Sequence, residues 1–574
     1  MTSAAAGSAG SSSRAVAAAG HTSIATSAAK NFLNFANQTG SPYHAVYETR
    51  KMLLERNFTE LSERDVPWRL QTGGKYFMTK LGSTICAFVV GDKFSAAEGG
   101  FVVCGAHTDS PCLRLRPNTK VAGDKNHVQV GVQTYGGGLW HTWFDRPLGL
   151  AGKVVVAPKE NPAAMEERLL RIVRPILLLP NLAIHLQTAD ERKAFAVNPE
   201  QHLQPVLCCS PPAPTTTPAG APAAAADNST TSCTAAGASS SGAAAGEEPE
   251  AAATPSGTES APARHTEELL RVIAGELNVE ASEIVDMDLC LMDCEPGRFV
   301  GPNDDFIFSG RIDNLVSVWA EFDAITQYAE TEAKKNSKDI AVCVAFDHEE
   351  CGSESTAGAD SSSLEQWLQQ ILGEVLDSQP PQPEFQFVQG VSQQPSLGQS
   401  MTLKPAIKTA TTSSTHCISA AASTCIPFRN EWLRVMGKSF LFSIDGAHAL
   451  HPNYSAKHQS EHRPVMHKGL VIKSNCNQRY ATTAFTTAVT RAVAKKAGAA
   501  MQDFVVRNDC PCGSTIGPMV SSNLGMRAVD LGIPQWAMHS CKESCSSVDI
   551  QDLHRFVLGA FQHFRNIDGQ SKTL

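Results

Sequence analysis

Seven short apolar segments constrain the fold of this chain more than any other feature of its sequence. In each segment the apolar residues follow one another without the polar alternation of a half-exposed strand. Continuous runs of this kind are typical of strands that are buried on both faces of a mostly parallel sheet. Helical patterns over 314–332 and 482–497 lie between some of them, which predicts an α/β sandwich. The segments are TICAFVVGD, GGFVVCGAHTD, DIAVCVAFDHEE, SFLFSIDGAH, GLVIKSN, DFVVRND and MRAVDLGIP.

The region 116–304 has a different pattern. Its segment HVQVGVQTYGGGLWHTWFDRPLGLAGKVVV combines short alternating runs with glycine-rich turns, which predicts an inserted antiparallel β domain. The α/β domain then comprises 28–115 and 305–574.

Three stretches have a low-complexity composition and are not expected to contribute to the packed core. We expect an N-terminal extension over 1–27 and a second stretch over 210–264 to be disordered, because both consist largely of small and polar residues. The Gln-, Ser- and Thr-rich stretch 377–425 is predicted to be a low-complexity surface insertion.

Composition excludes some partners. A net charge of -9 gives no basic surface that would indicate nucleic acid or an anionic membrane. No stretch has the roughly 18 consecutive apolar residues that a membrane helix needs. The 17 cysteines are odd in number and lack a repeated spacing, and the N-terminus lacks a secretory apolar region. We therefore expect reduced thiols and a cytoplasmic protein.

Side chains with metal-binding chemistry follow five predicted strands. Ligands in α/β sheets bind at the carboxyl ends of strands, so these residues are expected to converge. A single His or Asp after a strand is usually a cap or turn residue, but five such strand ends together indicate a site. The residues are His107 and Asp109 after FVVCGA, Asp313 after FIFSGRI, Asp347, Glu349 and Glu350 after IAVCVAF, Asp445, His448 and His451 after FLFSI, and His539 after IPQWAM.

Imidazoles and carboxylates without cysteine favour Zn²⁺, or Mn²⁺ and Co²⁺, in a catalytic site. A metal pair needs one bridging carboxylate, and a His and a further carboxylate for each ion. Asp313 is the candidate bridge, His107 and His539 are the imidazoles, and Glu350 and Asp445 are the further carboxylates. The negative charges of neighbouring Glu349 and Glu350 repel each other unless a nearby cation or a bound proton compensates them. As successive residues at a strand end, their side chains are expected to diverge.

Two rival motifs are weaker. HQSEH, residues 458–462, fits a mononuclear zinc pattern that requires a helix, but Pro452 and Pro464 flank it closely. The pairs Cys290/Cys294, Cys510/Cys512 and Cys541/Cys545 lack C-x-x-C spacing, so buried thiols are the expected interpretation.

Seven ordered motifs resemble those of aspartyl aminopeptidases, from about residue 31 to residue 564 without the low-complexity insertions. They are GAHTDSPCLRLRP, GRIDNL, FDHEECGS, SIDGAHALHPNY, VIKSNCNQRYA, RNDCPCGSTIGP and WAMHS. The resemblance implies a zinc-exopeptidase-like α/β sandwich with an inserted domain that serves as dimerisation surface or lid. It also implies two Zn²⁺ per subunit, release of N-terminal Asp or Glu from peptides, a cytoplasmic location, and a homododecamer built from dimers.

The resemblance also implies a role for each matched residue. Glu349 would be the general base that takes a proton from a zinc-bridging water, and Asp109 would orient His107. Lys473 would face the acidic side chain of the substrate, and His185 would reach the active site of a neighbouring subunit. The remaining roles are zinc ligation by His107 and Asp445, bridging by Asp313, ligation of the second zinc by Glu350 and His539, and substrate contact by His448 and Tyr480.

Two further interpretations remain open. The metals could serve a broad-specificity dinuclear aminopeptidase or amidohydrolase. Alternatively, the chain could be an assembly or cargo protein with a vestigial peptidase site.

Overall fold

The computed structural model describes residues 23–122, 126–209, 261–379 and 428–571. Most of the three stretches 1–27, 210–264 and 377–425 therefore lies outside the described residues. At their described edges, Thr26 caps the first helix and Ala261–Arg264 forms a short helix.

The strands are β1 (Thr59–Glu60), β2 (Lys75–Lys80), β3 (Thr84–Val90), β4 (Phe101–His107), β5 (Cys112–Lys120), β6 (His127–Tyr135), β7 (Pro147–Val156), β8 (Glu166–Leu178), β9 (Val206–Cys209), β10 (Ile284–Asp293), β11 (Arg298–Val300), β12 (Phe306–Ser309), β13 (Ile340–Phe346), β14 (Phe440–Ile444), β15 (Ala447–His448), β16 (Leu470–Lys473), β17 (Met501–Phe504), β18 (Arg527–Gly532), β19 (Pro534–Trp536) and β20 (Glu543–Ser546).

The helices are α1 (Ser27–Gln38), α2 (Pro42–Glu55), α3 (Ala189–Lys193), α4 (Pro199–His202), α5 (Ala261–Arg264), α6 (Glu267–Leu277), α7 (Ile312–Tyr328), α8 (Glu332–Asn336), α9 (Ser363–Asp377), α10 (428–436), α11 (Ala484–Ala497), α12 (Ile516–Leu524) and α13 (Asp549–Asp568). Short 3₁₀ turns include Ile184–Leu186 and Glu349–Cys351.

The largest sheet has nine strands in the order β1-β2-β3-β13-β4-β14-β18-β16-β17. Five of its eight neighbouring pairs are parallel, and four parallel strands, β13-β4-β14-β18, form its centre. The predicted mostly parallel sheet is confirmed. β17 ends at Phe504, earlier than DFVVRND suggests, because it is an edge strand whose only neighbour, β16, ends at Lys473.

Strand β4 shows why its sequence is continuously apolar. Val102, Cys104 and Ala106 belong to the core on one face of the sheet, whereas Phe101 and Val103 belong to the core on the other face. Helices α1, α2, α7, α11 and α13 cover the first face, and α9 and α12 cover the second. This arrangement is the predicted α/β sandwich.

The inserted β region forms a closed six-stranded antiparallel barrel in the order β10-β5-β6-β9-β8-β7. Its strands run from Cys112 to Asp293. The division into 28–115, 116–304 and 305–574 stays a prediction. Within the barrel, leucine, isoleucine and valine side chains and helix α6 form a separate core.

A third sheet connects the two regions, with strand order β11-β12-β20-β19-β15. Strands from distant parts of the sequence meet in it, since β12 pairs with β20 and β15 pairs with β19. This sheet brings 306–309, 447–448 and 534–546 next to the carboxyl ends of the parallel strands β13, β4 and β14 of the large sheet.

Ser41 and Pro42 begin α2 as the sequence predicts. The hydroxyl of Ser41 hydrogen-bonds Nδ1 of His44 at 2.8 Å, in place of a backbone N–H of the helix. Among the described residues, no helix combines the length and apolar character needed to cross a membrane.

Candidate metal centre

The five predicted ligands come from two neighbouring sheets. In the large sheet, His107 is the last residue of β4, Asp445 directly follows β14, and Glu350 lies in the turn after β13. In the third sheet, Asp313 follows β12 at the start of α7, and His539 lies between β19 and β20. The structure brings all five together at one end of the large sheet.

Asp313 lies between two groups of possible ligands. Its Oδ1 atom is 3.3 Å from Nε2 of His107, which is also 3.7 Å from Oδ1 of Asp445. Its Oδ2 atom is 3.7 Å from Nε2 of His539, which is 3.4 Å from Oε2 of Glu350. The two oxygens of one carboxylate thus face two different imidazoles, which is the arrangement a bridging ligand needs.

Three buried oxygens in this cluster have no hydrogen-bond partner among the described residues. They are Oδ1 of Asp313, Oε1 of Glu350 and Oδ1 of Asp445. Burial, followed by the charge of Asp313, raises the pKa of Glu350 well above its usual range. A buried carboxylate cluster of this kind is resolved by cations. The residues therefore fit a pair of divalent metals.

Both histidines present Nε2 to the cluster. Nδ1 of His107 lies 3.1 Å from the carbonyl oxygen of Asp109, and Nδ1 of His539 lies 2.9 Å from that of Gly137. A carbonyl oxygen only accepts, so each Nδ1 carries the hydrogen and each Nε2 keeps a lone pair free. Fixing the tautomer through the second nitrogen is typical of metal-binding histidines.

Asp109 organises the glutamate turn as well as His107. Its Oδ1 accepts from the backbone N–H of Glu349 at 3.2 Å, and its Oδ2 accepts from that of Glu350 at 3.0 Å. Oδ2 also accepts from the hydroxyl of Tyr135 at 2.6 Å. Oδ1 of Asp109 lies 3.4 Å from Nδ1 of His107, whereas the carbonyl oxygen of Asp109 lies 3.1 Å from the same nitrogen. Asp109 therefore orients His107 chiefly through its main chain.

Glu349 lies beside the cluster with its Oε2 atom 3.9 Å from Nε2 of His107. Burial raises its pKa to about 8, to which the carboxylates of Asp445, Asp109 and Asp313 contribute. Contrary to the expectation from the sequence, the side chains of Glu349 and Glu350 do not diverge because of a strand end. β13 ends at Phe346, and the two glutamates lie in a 3₁₀ turn that begins after His348, whose φ is +64°.

Sequence reasoning missed Glu543, which supports two of the ligands. Its Oε1 accepts from the backbone N–H of His539 at 2.8 Å, and its Oε2 accepts from that of Asp313 at 2.9 Å. The side chain is buried at the start of β20. The one signal in the sequence is an acidic residue four positions after His539, and the pairing of β12 with β20 is needed to interpret it.

The four predicted substrate contacts lie in different settings. Lys473 is buried and donates to Oδ2 of Asp445 at 3.0 Å, and its Nζ lies 5.3 Å from the ring centre of buried Tyr480. His448 is exposed on β15, with its ring 5.8 Å from that of Phe504. His185 lies on the exposed turn Ile184–Leu186 of the barrel, outside the cluster.

The family described as "Aminopeptidase I zinc metalloprotease (M18)" matches residues 35–382 and 415–564. A "Probable aspartyl aminopeptidase" of Ricinus communis is 37% identical over 542 residues, which cover 94% of this chain and 96% of that protein. An "Aspartyl aminopeptidase" of Caenorhabditis elegans is 37% identical over 528 residues, which cover 91% of this chain and 92% of that protein.

Solved structures agree with this result. The cryo-EM structure of the Ape4 and Nbr1 complex matches with a TM-score of 0.74 and 32% identity, covering 95% of this chain and 87% of that chain. The structure of the S. cerevisiae mApe1 dodecamer matches with a TM-score of 0.69 and 23% identity, covering 94% of this chain and 98% of that chain, and supports the fold. The predicted resemblance is confirmed: the chain belongs to the M18 family of zinc metalloproteases.

Proposed function

We propose that the protein is a dinuclear zinc aminopeptidase that releases N-terminal Asp or Glu from peptides. The observation that carries the proposal is the position of Asp313, with one carboxylate oxygen toward His107 and the other toward His539. The curated relatives named aspartyl aminopeptidase support the choice of acidic substrates.

His107 and Asp445 would hold one metal, Glu350 and His539 would hold the other, and Asp313 would bridge them. Zn²⁺ is the metal named for the family, and Mn²⁺ or Co²⁺ also suits these ligands. When bound, a metal pair supplies Lewis acidity that polarises the scissile carbonyl and makes water a stronger acid.

Glu349 is the proposed general base. Its carboxylate lies beside the cluster without belonging to the two pairs of imidazole and carboxylate around Asp313, so an oxygen is free to take a proton from the attacking water. The same carboxyl group then returns the proton to the leaving amine. The carboxylate of Asp109 accepts from the backbone N–H groups of Glu349 and Glu350 and thereby fixes the position of the base relative to a metal ligand.

A broad-specificity aminopeptidase is the second candidate. The observation in its favour is the ion pair between Lys473 and Asp445, because a lysine bound to a metal ligand is a weaker recognition group for an acidic substrate. Turnover of Asp-, Glu- and Leu-anilides distinguishes the two candidates. An acidic preference is the expected result, and equal turnover of all three would favour the broad enzyme.

We also infer that the chain forms a homo-oligomer, a dodecamer built from dimers. The barrel segment around His185 exposes four large apolar side chains, of which Leu186 is 72% exposed. The others are Leu182, Ile184 and Phe195. An exposed apolar segment of this kind is typical of a subunit contact. If a second copy buries this segment, His185 lies in the same contact.

The test of the proposed function is hydrolysis of a peptide with N-terminal Asp, with and without a chelator. Asp release that stops on chelation and returns with Zn²⁺ is the expected result. Release that is unaffected by chelation would contradict a metal mechanism. A chain that binds two metals and cleaves no peptide or amide would instead support a vestigial site.

A further inference from the structure

A cavity of about 370 Å³ lies beside the candidate metal centre, next to His448. No acidic side chain lines it, and the cations Lys457 and Arg507 are among its lining residues. Arg507 is bound to Asp509, which leaves Lys457 as the more available charge. The cavity therefore suits a ligand with a negative charge rather than a cation.

Gln535 also lines this cavity. It belongs to β19, directly beside His448 of β15, and its side chain is buried with 1% of its surface exposed. Neither its Oε1 nor its Nε2 atom has a hydrogen-bond partner among the described residues. Buried amide atoms almost always have partners in folded proteins. The free donor and acceptor of Gln535 therefore indicate a polar ligand.

The carboxamide of Gln535 is close to the metal centre. A Cβ atom added to Gly446 would lie 2.9 Å from Cδ of Gln535, so the amide packs directly on the backbone of this glycine. Gly446 directly follows the predicted ligand Asp445, and Gln535 lines the cavity, so the amide packs next to the backbone of one predicted metal ligand.

We propose that Gln535 is a substrate-contacting residue that determines specificity for an acidic N-terminal residue. Its Nε2–H donates to the side-chain carboxylate of the substrate, and its Oε1 accepts from the α-amino group of the same residue. An N-terminal Asp or Glu offers both partners at one end of the peptide. A neutral aliphatic residue leaves the Nε2–H unpaired, which is unfavourable in a buried site. This inference rests on the proposed function and assigns its selectivity to a second residue besides Lys473.

The test compares the wild type with Gln535→Met, which keeps the length of the side chain and removes both polar atoms. The expected result is that kcat/KM for an Asp-anilide falls about 30-fold, the usual effect of losing a hydrogen bond to a charged group. A Leu-anilide has the α-amino partner of Oε1 but no carboxylate for Nε2–H, so its kcat/KM falls by a smaller factor, about threefold, and the Asp/Leu ratio falls about tenfold.

Gln502→Met is the matched control. The amide of Gln502 is satisfied by Val465 and Gly469, and the residue lies on β17, whose Phe504 lines the same cavity. Its substitution is expected to lower thermal stability and to leave the Asp/Leu ratio unchanged. Gln535→Glu is a second test variant that keeps shape and polarity, and its negative charge should lower the Asp/Leu ratio further.

An Asp/Leu ratio that is unchanged in both Gln535 variants would overturn the assignment, whether the two kcat/KM values stay constant or fall by the same factor. Wild-type enzyme without any Asp preference would instead contradict the proposed acidic specificity itself. The two failures are thus distinguished by the wild-type measurement.

Discussion

Nζ of Lys473 lies 3.0 Å from Oδ2 of Asp445, so a buried ammonium is bound to a predicted metal ligand. The other oxygen of the carboxylate faces His107. Although burial opposes ionisation, the ammonium of Lys473 lowers the pKa of Asp445. Lys473 thus keeps Asp445 charged and oriented, and its ammonium retains two further donors that could meet a substrate carboxylate.

Lys473→Met is expected to affect acidic and neutral substrates to different degrees. Loss of the charged donor should lower kcat/KM for an Asp-anilide by about 100-fold, and the disturbed Asp445 should lower that for a Leu-anilide by about tenfold. Steady-state kinetics with both substrates checks this. Equal losses of kcat/KM for the two substrates would show that Lys473 only orients Asp445 and does not contact the substrate carboxylate.

Asp109→Asn should weaken catalysis without removing the metals. An amide placed among three donors, the N–H groups of Glu349 and Glu350 and the hydroxyl of Tyr135, opposes at least one of them. We expect kcat to fall by about 10–100-fold, as for other groups that support metal ligands. Tyr135→Phe removes a single bond and serves as the milder control. A wild-type rate in Asp109→Asn would show that the glutamate turn is held by other contacts.

Glu543→Gln should lower metal affinity. The amide accepts from only one of the two N–H groups that the carboxylate now binds, so either Asp313 or His539 loses its support. A decrease of about 10–100-fold is expected, measured by competition with a chromogenic chelator. Glu321→Gln is the control, because Glu321 is buried like Glu543 but neither of its side-chain oxygens has a hydrogen-bond partner among the described residues. Equal affinities in all three proteins would argue against the role of Glu543.

Acid should destabilise the fold partly through His265. Burial lowers its pKa to about 4, against 6.5 in the unfolded chain, so its contribution to stability is present above pH 6.5 and is lost as pH falls toward 4. In His265→Asn, an amide oxygen can replace Nδ1 as the partner of Thr119. Urea unfolding should then depend less steeply on pH, by about 1 kcal/mol per pH unit between pH 6 and about 4.5. Identical slopes in both proteins would exclude protonation of His265 as a cause.

The clustering of the candidate ligands could be predicted because it depends on local features. Residues that follow buried strands meet at one end of a parallel sheet, so His107, Glu350 and Asp445 could be grouped from sequence alone. The role of Glu543 depends on pairing between β12 and β20, which lie more than two hundred residues apart. The carboxylate partner of Lys473 and the free amide of Gln535 likewise depend on packing between distant segments, which no local pattern encodes.

The central claim is that Glu349 is the base of a site whose metals are held by other residues. The most direct test is turnover of an N-terminal Asp peptide by Glu349→Gln, with the metal content of the same sample determined by mass spectrometry. Two metals per chain, with turnover lower by about 10²–10⁴-fold, is the predicted result. Wild-type turnover in a variant that retains both metals would contradict the account.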